Sequence, residues 1–128
     1  MKQQSIAILV LRVMLGISFL THGISKFQGG IDQTAAWFDS IGIPGAMAYI
    51  VAVVEIVGGL MMIFGIAVKY VGPAFVVVML GAIFTVKKDF GFLGNDNGSG
   101  YELELVLAVI SLFFVLIPKE FAKIRSKS

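Results

Sequence analysis

Arg12, His22 and Lys26 lie within the first apolar stretch of the chain, Ser5 to Lys26, and Glu55 lies near the middle of the second. Hydrocarbon rejects such groups unless they face other helices or a wet cavity, so each marks a site. Arg12, Phe19, His22 and Lys26 recur at offsets of seven, three and four residues, which is one stripe of an α-helix. The stripe presents hydrogen-bond donors along one face. Glu55, in AYIVAVVEIVGGLMMIF, presents a carboxylate that must either take up a proton or find a basic partner. Donors facing a proton-exchanging carboxylate suit the binding and protonation of an oxygen-bearing substrate.

Counted inward from the ends on one side of the membrane, Arg12 is about 8 residues deep and Glu55 about 12, a difference of roughly 6 Å at about 1.5 Å per residue. An arginine side chain spans that, so Arg12 is the expected partner of Glu55. The pair would fix the register of two helices, and it would also hold a proton- or substrate-handling group ionised. Gly16 and Gly23 lie on or beside the stripe, where a missing side chain lets another backbone come close. Gly58 and Gly59 follow Glu55 by about one turn. They allow close packing, or they open room for a flat ligand beside the carboxylate.

A third group joins His22 and Lys26, one turn apart at the outer end of the first stretch, to Glu102 at the start of the last. Glu102 and Glu104 are two residues apart and point to different sides, so one of them faces inward. Lys87, Lys88 and Asp89 at the same level read as a solvated rim. His22 with Glu102 is a weak basis for a metal site, because the chain has a single histidine and no cysteine. No metal is expected, and Met61 and Met62 read as packing. No nucleophile–base pair, phosphate loop or nucleotide fingerprint is present.

The elements that must position these groups are apolar and long. The 128 residues are 58% hydrophobic and only 14% charged, with a mean hydropathy of +0.95. Soluble domains carry about 25% charged residues, so the chain reads as one integral membrane domain over residues 1–128. Without cysteine there is no disulfide framework, no thiol–disulfide exchange by the chain itself and no thiolate metal site. Nucleic acid binding has no support, since no basic surface with interleaved aromatics appears. The first stretch is too long for a signal-peptide core and lacks a small-residue cleavage site, so it reads as a retained transmembrane helix.

Four stretches approach the length of a membrane span: Ser5 to about Ile24, Pro44 to about Ala67, about Tyr70 to Val86, and about Tyr101 to Ile117 before Pro118. The last two are short, so some mismatch is expected. Between the first two, Asp32 or Thr34 is placed to cap a helix that carries Trp37, Phe38 and Ile41 on one side. It reads as a short interfacial helix acting as a lid over the helix ends or as a gate over a site. Lys69 falls in a tight connection, and NDNGSG reads as a flexible turn. Lys2, Lys69, Lys119, Lys123, Arg125 and Lys127 fall on one side. Lys26, Lys87 and Lys88 fall on the other, offset by acidic residues. The positive-inside rule then puts both termini in the cytoplasm.

The runs LRVMLGISFLTHGISKF and IPGAMAYIVAVVEIVGGLMMIFG resemble the DoxX family of small four-helix membrane proteins. The shared features are Arg12, Gly16, Phe19, Gly23 and Lys26, then Glu55, Gly58, Gly59 and Gly65, and a glutamate opening the last helix, here Glu102. The resemblance covers nearly the whole chain. Its members are described as oxidoreductases. Some are similar to a subunit of a thiosulfate:quinone oxidoreductase, and others accompany quinone or catechol detoxification or superoxide defence. The resemblance implies a redox role for this chain.

The reading that results is an all-α bundle of four transmembrane helices with a short interfacial helix between the first and second, in the cell membrane. Its function is that of a quinone-linked membrane redox protein or a subunit of one. Without cysteine, electrons would pass through a bound quinone or a partner enzyme's cofactor. Arg12 and Glu55 would carry the chemistry, with His22, Lys26, Glu102, Phe19, Gly58 and Gly59 contacting the substrate. Two other readings are a scaffold subunit for a partner redox enzyme and a small transporter acting as a homo-oligomer.

Overall fold

The computed structural model describes residues 2–96 and 98–118. Five α-helices lie among the described residues: α1 (Lys2–Gln28), α2 (Ile31–Ser40), α3 (Ala46–Phe64), α4 (Val68–Ala82) and α5 (Glu102–Leu116). Three stretches, Gln3–Gln28, Ala46–Phe64 and Val68–Thr85, are long and apolar enough to cross a membrane. Of the four expected spans, these are three, and the remaining one falls on α5. α5 has 15 residues, about 22 Å of helix against a hydrocarbon core of about 30 Å.

Two helix pairs make the bundle. α1 packs along α3, antiparallel, because glycines let the backbones touch. A β-carbon on Gly16 would come within 2.6 Å of the Gly59 carbonyl oxygen, and one on Gly23 within 2.9 Å of the Ala52 carbonyl oxygen. α4 packs along α5, where Gly72 lies against Ser111 and Val115. The pairs meet at a stacked couple of buried rings, Phe19 and Phe75, with centroids 3.6 Å apart and planes 9° from parallel. Gly58 leaves room for that stack, since a β-carbon there would lie 2.6 Å from the Phe75 ring. The buried core runs outward from these rings through Leu15, Met62, Val71, Met79, Leu107 and Phe114.

At the end where α3 gives way to α4, two basic side chains cap helix C-termini, where carbonyls lack intrahelical partners. Arg12, buried to 1% exposure, donates from Nε to the Met62 carbonyl at 2.9 Å and from a terminal nitrogen to the Ile63 carbonyl at 3.4 Å. Gly65 makes this fit possible. Its φ of +75° is left-handed, and a β-carbon would lie 3.0 Å from the guanidinium carbon. Lys69 is not in a connection as expected but in the first turn of α4. It donates to the Val115 carbonyl at 2.8 Å and to the Ile117 carbonyl. The basic residues Lys119, Lys123, Arg125 and Lys127 lie outside the described residues.

At the opposite end, α2 leans on α3. The Gly45 N–H donates to Asp39 at 2.8 Å, and the Tyr49 hydroxyl donates to Asp32. The N-cap of α2 is Gly30, with no side-chain cap, so neither Asp32 nor Thr34 takes that role. α4 continues into a π-helical turn, Ile83–Lys87, and a 3₁₀ turn, Lys88–Phe90. Where a flexible turn was expected, Gly94–Asn95 (β1) pairs antiparallel with Gly98–Ser99 (β2), Gly94 opposite Ser99.

Candidate functional site

The sparse contact between the two helix pairs leaves a cavity of about 530 Å³ beneath α2, at the end away from Arg12. That volume lies in the range of small-molecule sites. Its walls are apolar: Trp37 and Phe38 of α2, Met47 and Val51 of α3, Val78 and Met79 of α4, and Leu107 of α5. A small set of polar groups breaks this lining, chiefly His22, Lys26, Glu55, Lys87 and Glu104. The Phe19–Phe75 stack lies one turn further into the bundle, since Phe19 precedes His22 by three residues and Phe75 precedes Met79 by four.

Lys26 and Glu55 form the central contact. Lys26 Nζ lies 2.6 Å from Glu55 Oε1, with the lysine side chain 24% exposed and the carboxylate 1% exposed. In a helix every Cα–Cβ bond tilts toward that helix's own N-terminus. α1 and α3 are antiparallel, so Lys26 leans inward and Glu55 leans outward, and the two converge. Arg12, on the same helix, leans the same way as Lys26, which carries it away from Glu55 and toward the C-terminal end of α3. The expected Arg12–Glu55 pair is therefore corrected: Glu55 pairs with Lys26, and Arg12 caps α3. The depth count failed because the first turns of α1 run past the end of α3, so helix ends are not a common reference.

His22 Nδ1 lies 2.7 Å from the Ser18 carbonyl oxygen. A carbonyl only accepts, so Nδ1 carries the hydrogen, and Nε2 remains the ring's second hydrogen-bonding atom. A second Lys–Glu pair stands on the other wall. Lys87, at the end of the π-helical turn, lies 3.5 Å from Glu104 Oε2 and donates to Ser99 at 2.8 Å. Among the described residues no group of three or more metal-ligating side chains gathers. Apolar walls with a few donors and carboxylates at one end suit a flat, oxygen-bearing ring with an apolar substituent.

The DoxX family model matches residues 7–88, the segment that carries most of α1 and all of α2, α3 and α4. The chain belongs to the DoxX family. Over 120 residues, covering 94% of this chain and 85% of the relative, it is 41% identical to a Bacillus subtilis (strain 168) protein named "Putative oxidoreductase CatD". It is 30% identical over 120 residues, 84% of this chain and 74% of the relative, to the Mycobacterium tuberculosis protein named "Uncharacterized membrane protein Rv3486". It is 34% identical over 64 residues, half of this chain and 48% of the relative, to the Escherichia coli "Inner membrane protein YqjF". No solved structure gives a significant match.

In this DoxX protein the cavity gathers His22, Lys26 and Glu55 from the sequence-derived candidates. It leaves out the others. Arg12 is at the far end, and Phe19 is packed on Phe75. Gly58 faces the Phe75 ring and Gly59 faces Gly16. Glu102 is exposed at the start of α5, while Glu104 lines the cavity. Lys87, expected at a solvated rim, lines the cavity, as do Trp37, Phe38 and Thr34, which carry no lining signal in the sequence. The one signal for Lys87 and Glu104 was their level, opposite Lys26 across the bundle.

Proposed function

We propose that this DoxX protein is a quinone-linked membrane redox component that binds a quinone in the cavity beneath α2. The observation that supports this is the Lys26–Glu55 pair at the inner end of an apolar cavity open to ring-sized molecules. Lys26 and His22 are placed to orient a ring oxygen. Glu55 and Lys26, in contact, form a short path along which a proton moves to or from that oxygen. Quinone supplies two-electron chemistry when bound, and the electron donor is a partner redox enzyme, since the chain has no cysteine. The walls of α3, α4 and α5 exclude water around the ring, and a tail would extend along the apolar lining.

The placement that goes with this reading is the cell membrane, with α5 as a short fourth span, α2 at the interface and both termini cytoplasmic. The excess of Lys2, Lys69, Lys119, Lys123, Arg125 and Lys127 in the sequence over Lys26, Lys87 and Lys88 supports the orientation. A homo-oligomer is compatible with it.

The test is to purify the protein in mild detergent, extract it and measure quinone per chain, then repeat with Glu55→Gln and Lys26→Ala. Near-stoichiometric quinone in the wild type and its loss in both variants is expected. No quinone in the wild type and no binding of added quinone would leave the scaffold subunit as the function.

A further inference from the structure

Among the polar groups of the cavity, most have a partner. Lys26 and Glu55 have each other, His22 donates to Ser18, Thr85 donates to Gly81, and Lys87 has Ser99 and one oxygen of Glu104. Among the described residues the other oxygen, Glu104 Oε1, is buried with no hydrogen-bond partner. A buried acceptor left empty is unfavourable by about 1–3 kcal/mol, more for a charged group, and native structures fill nearly all of them. Glu104 is held in place by Lys87 from the π-helical turn, a rare distortion that concentrates at functional sites.

We infer that Glu104 Oε1 accepts a hydrogen bond from a hydroxyl group of the cavity's occupant, so that the site holds the reduced, dihydroxylated ring in preference to the dicarbonyl form. This rests on the quinone reading and deepens it. A carbonyl oxygen facing Glu104 would set acceptor against acceptor, whereas a hydroxyl supplies the missing donor. Hydrogen bonds to a charged group are worth about 1.5–3 kcal/mol, so the preference is at least about tenfold. By linkage, tighter binding of the reduced form raises the bound couple's two-electron potential by about 30 mV per tenfold.

The chain carries its own reporter. Trp37 is its only tryptophan and lines the cavity, so a quinone bound there quenches the protein's fluorescence. The experiment titrates a short-tailed benzoquinone into the full chain in detergent, then displaces it with the corresponding hydroquinone. Wild type, Glu104→Gln and Glu104→Leu are compared, with circular dichroism and gel filtration selecting folded protein. Hydroquinone binding about tenfold or more tighter than quinone in the wild type, falling to within about twofold in Glu104→Leu, is expected. Glu104→Gln keeps one acceptor and falls between. Equal affinities in the wild type, or a preference unchanged in Glu104→Leu, would overturn the role of Glu104 while leaving the quinone site intact. If neither form quenches or competes, the quinone reading itself fails and this inference fails with it.

Discussion

Lys26 and Glu55 touch because their side chains lean along two antiparallel helices in opposite senses, and the 2.6 Å contact buries the carboxylate between α1 and α3. Removing one partner of a buried pair costs roughly 3–5 kcal/mol in soluble proteins, because a lone charge remains. Here the survivor is either Glu55, buried to 1% exposure, or Lys26, which reaches solvent. Lys26→Met is therefore expected to lower folded yield and melting temperature more than Glu55→Gln does. The double variant should recover most of the loss. Thermal melts of the four proteins give the coupling, and a double variant no better than Lys26→Met alone would show that the two residues are not partners.

Arg12 makes the opposite prediction about function. It caps α3 through the Met62 and Ile63 carbonyls, at the end of the bundle away from the cavity. Arg12→Ala should cut the yield of folded protein by severalfold. The folded fraction should still bind quinone with wild-type affinity. Gly65→Ala should mimic the yield loss, because its φ of +75° is strained for any side chain and its β-carbon meets the guanidinium; such strain costs about 1–3 kcal/mol. A quinone affinity that collapses in folded Arg12→Ala would return Arg12 to the site.

How far the sequence reaches is clearest in these two cations. Both were legible as buried polar groups on one helix stripe, as were the glycines that let α1 meet α3. Which of them reaches Glu55 was not, because periodicity defines a face but not the antiparallel register, and depth counted from helix ends drifts when one helix overruns its partner. The tilt of side chains toward each helix's N-terminus carries that information once the helices are known to be antiparallel. Glu104 over Glu102 was undecidable for a related reason. Two residues apart on a helix face different ways, and only the rotation of α5 against α4 selects one. The π-helical turn that presents Lys87 leaves no mark in IFTVK.

The orientation of the chain is open to direct reading. Reporter tags fused at residue 1 and residue 128 should both report from the cytoplasm, and a tag inserted within residues 95–100 should report from outside. A C-terminal tag found outside would show that α5, at 15 residues, does not cross the membrane, and the chain would have three spans.

Gly16 and Gly81 separate packing from binding. A β-carbon on Gly16 collides with the α3 backbone, whereas one on Gly81 meets nothing within 4 Å. Gly16→Ala should therefore lower the melting temperature. Gly81→Ala should leave it unchanged or raise it, since alanine is the better helix former by about 0.8–1 kcal/mol.

Gly81 also lines the cavity, and this makes it the sharpest probe of the site. A β-carbon there meets no neighbour, so Gly81→Phe should fold as the wild type does while its ring takes up room at the cavity wall. Co-purified quinone and quenching of Trp37 by added quinone should both fall at least about tenfold, the effect of losing some 1.4 kcal/mol of binding. Unlike Glu55→Gln, this variant removes no charge and breaks no ion pair, so a loss of binding is attributable to the cavity alone. Wild-type quenching in a folded Gly81→Phe protein would place the ligand elsewhere, and the Lys26–Glu55 pair would then be a register lock between α1 and α3.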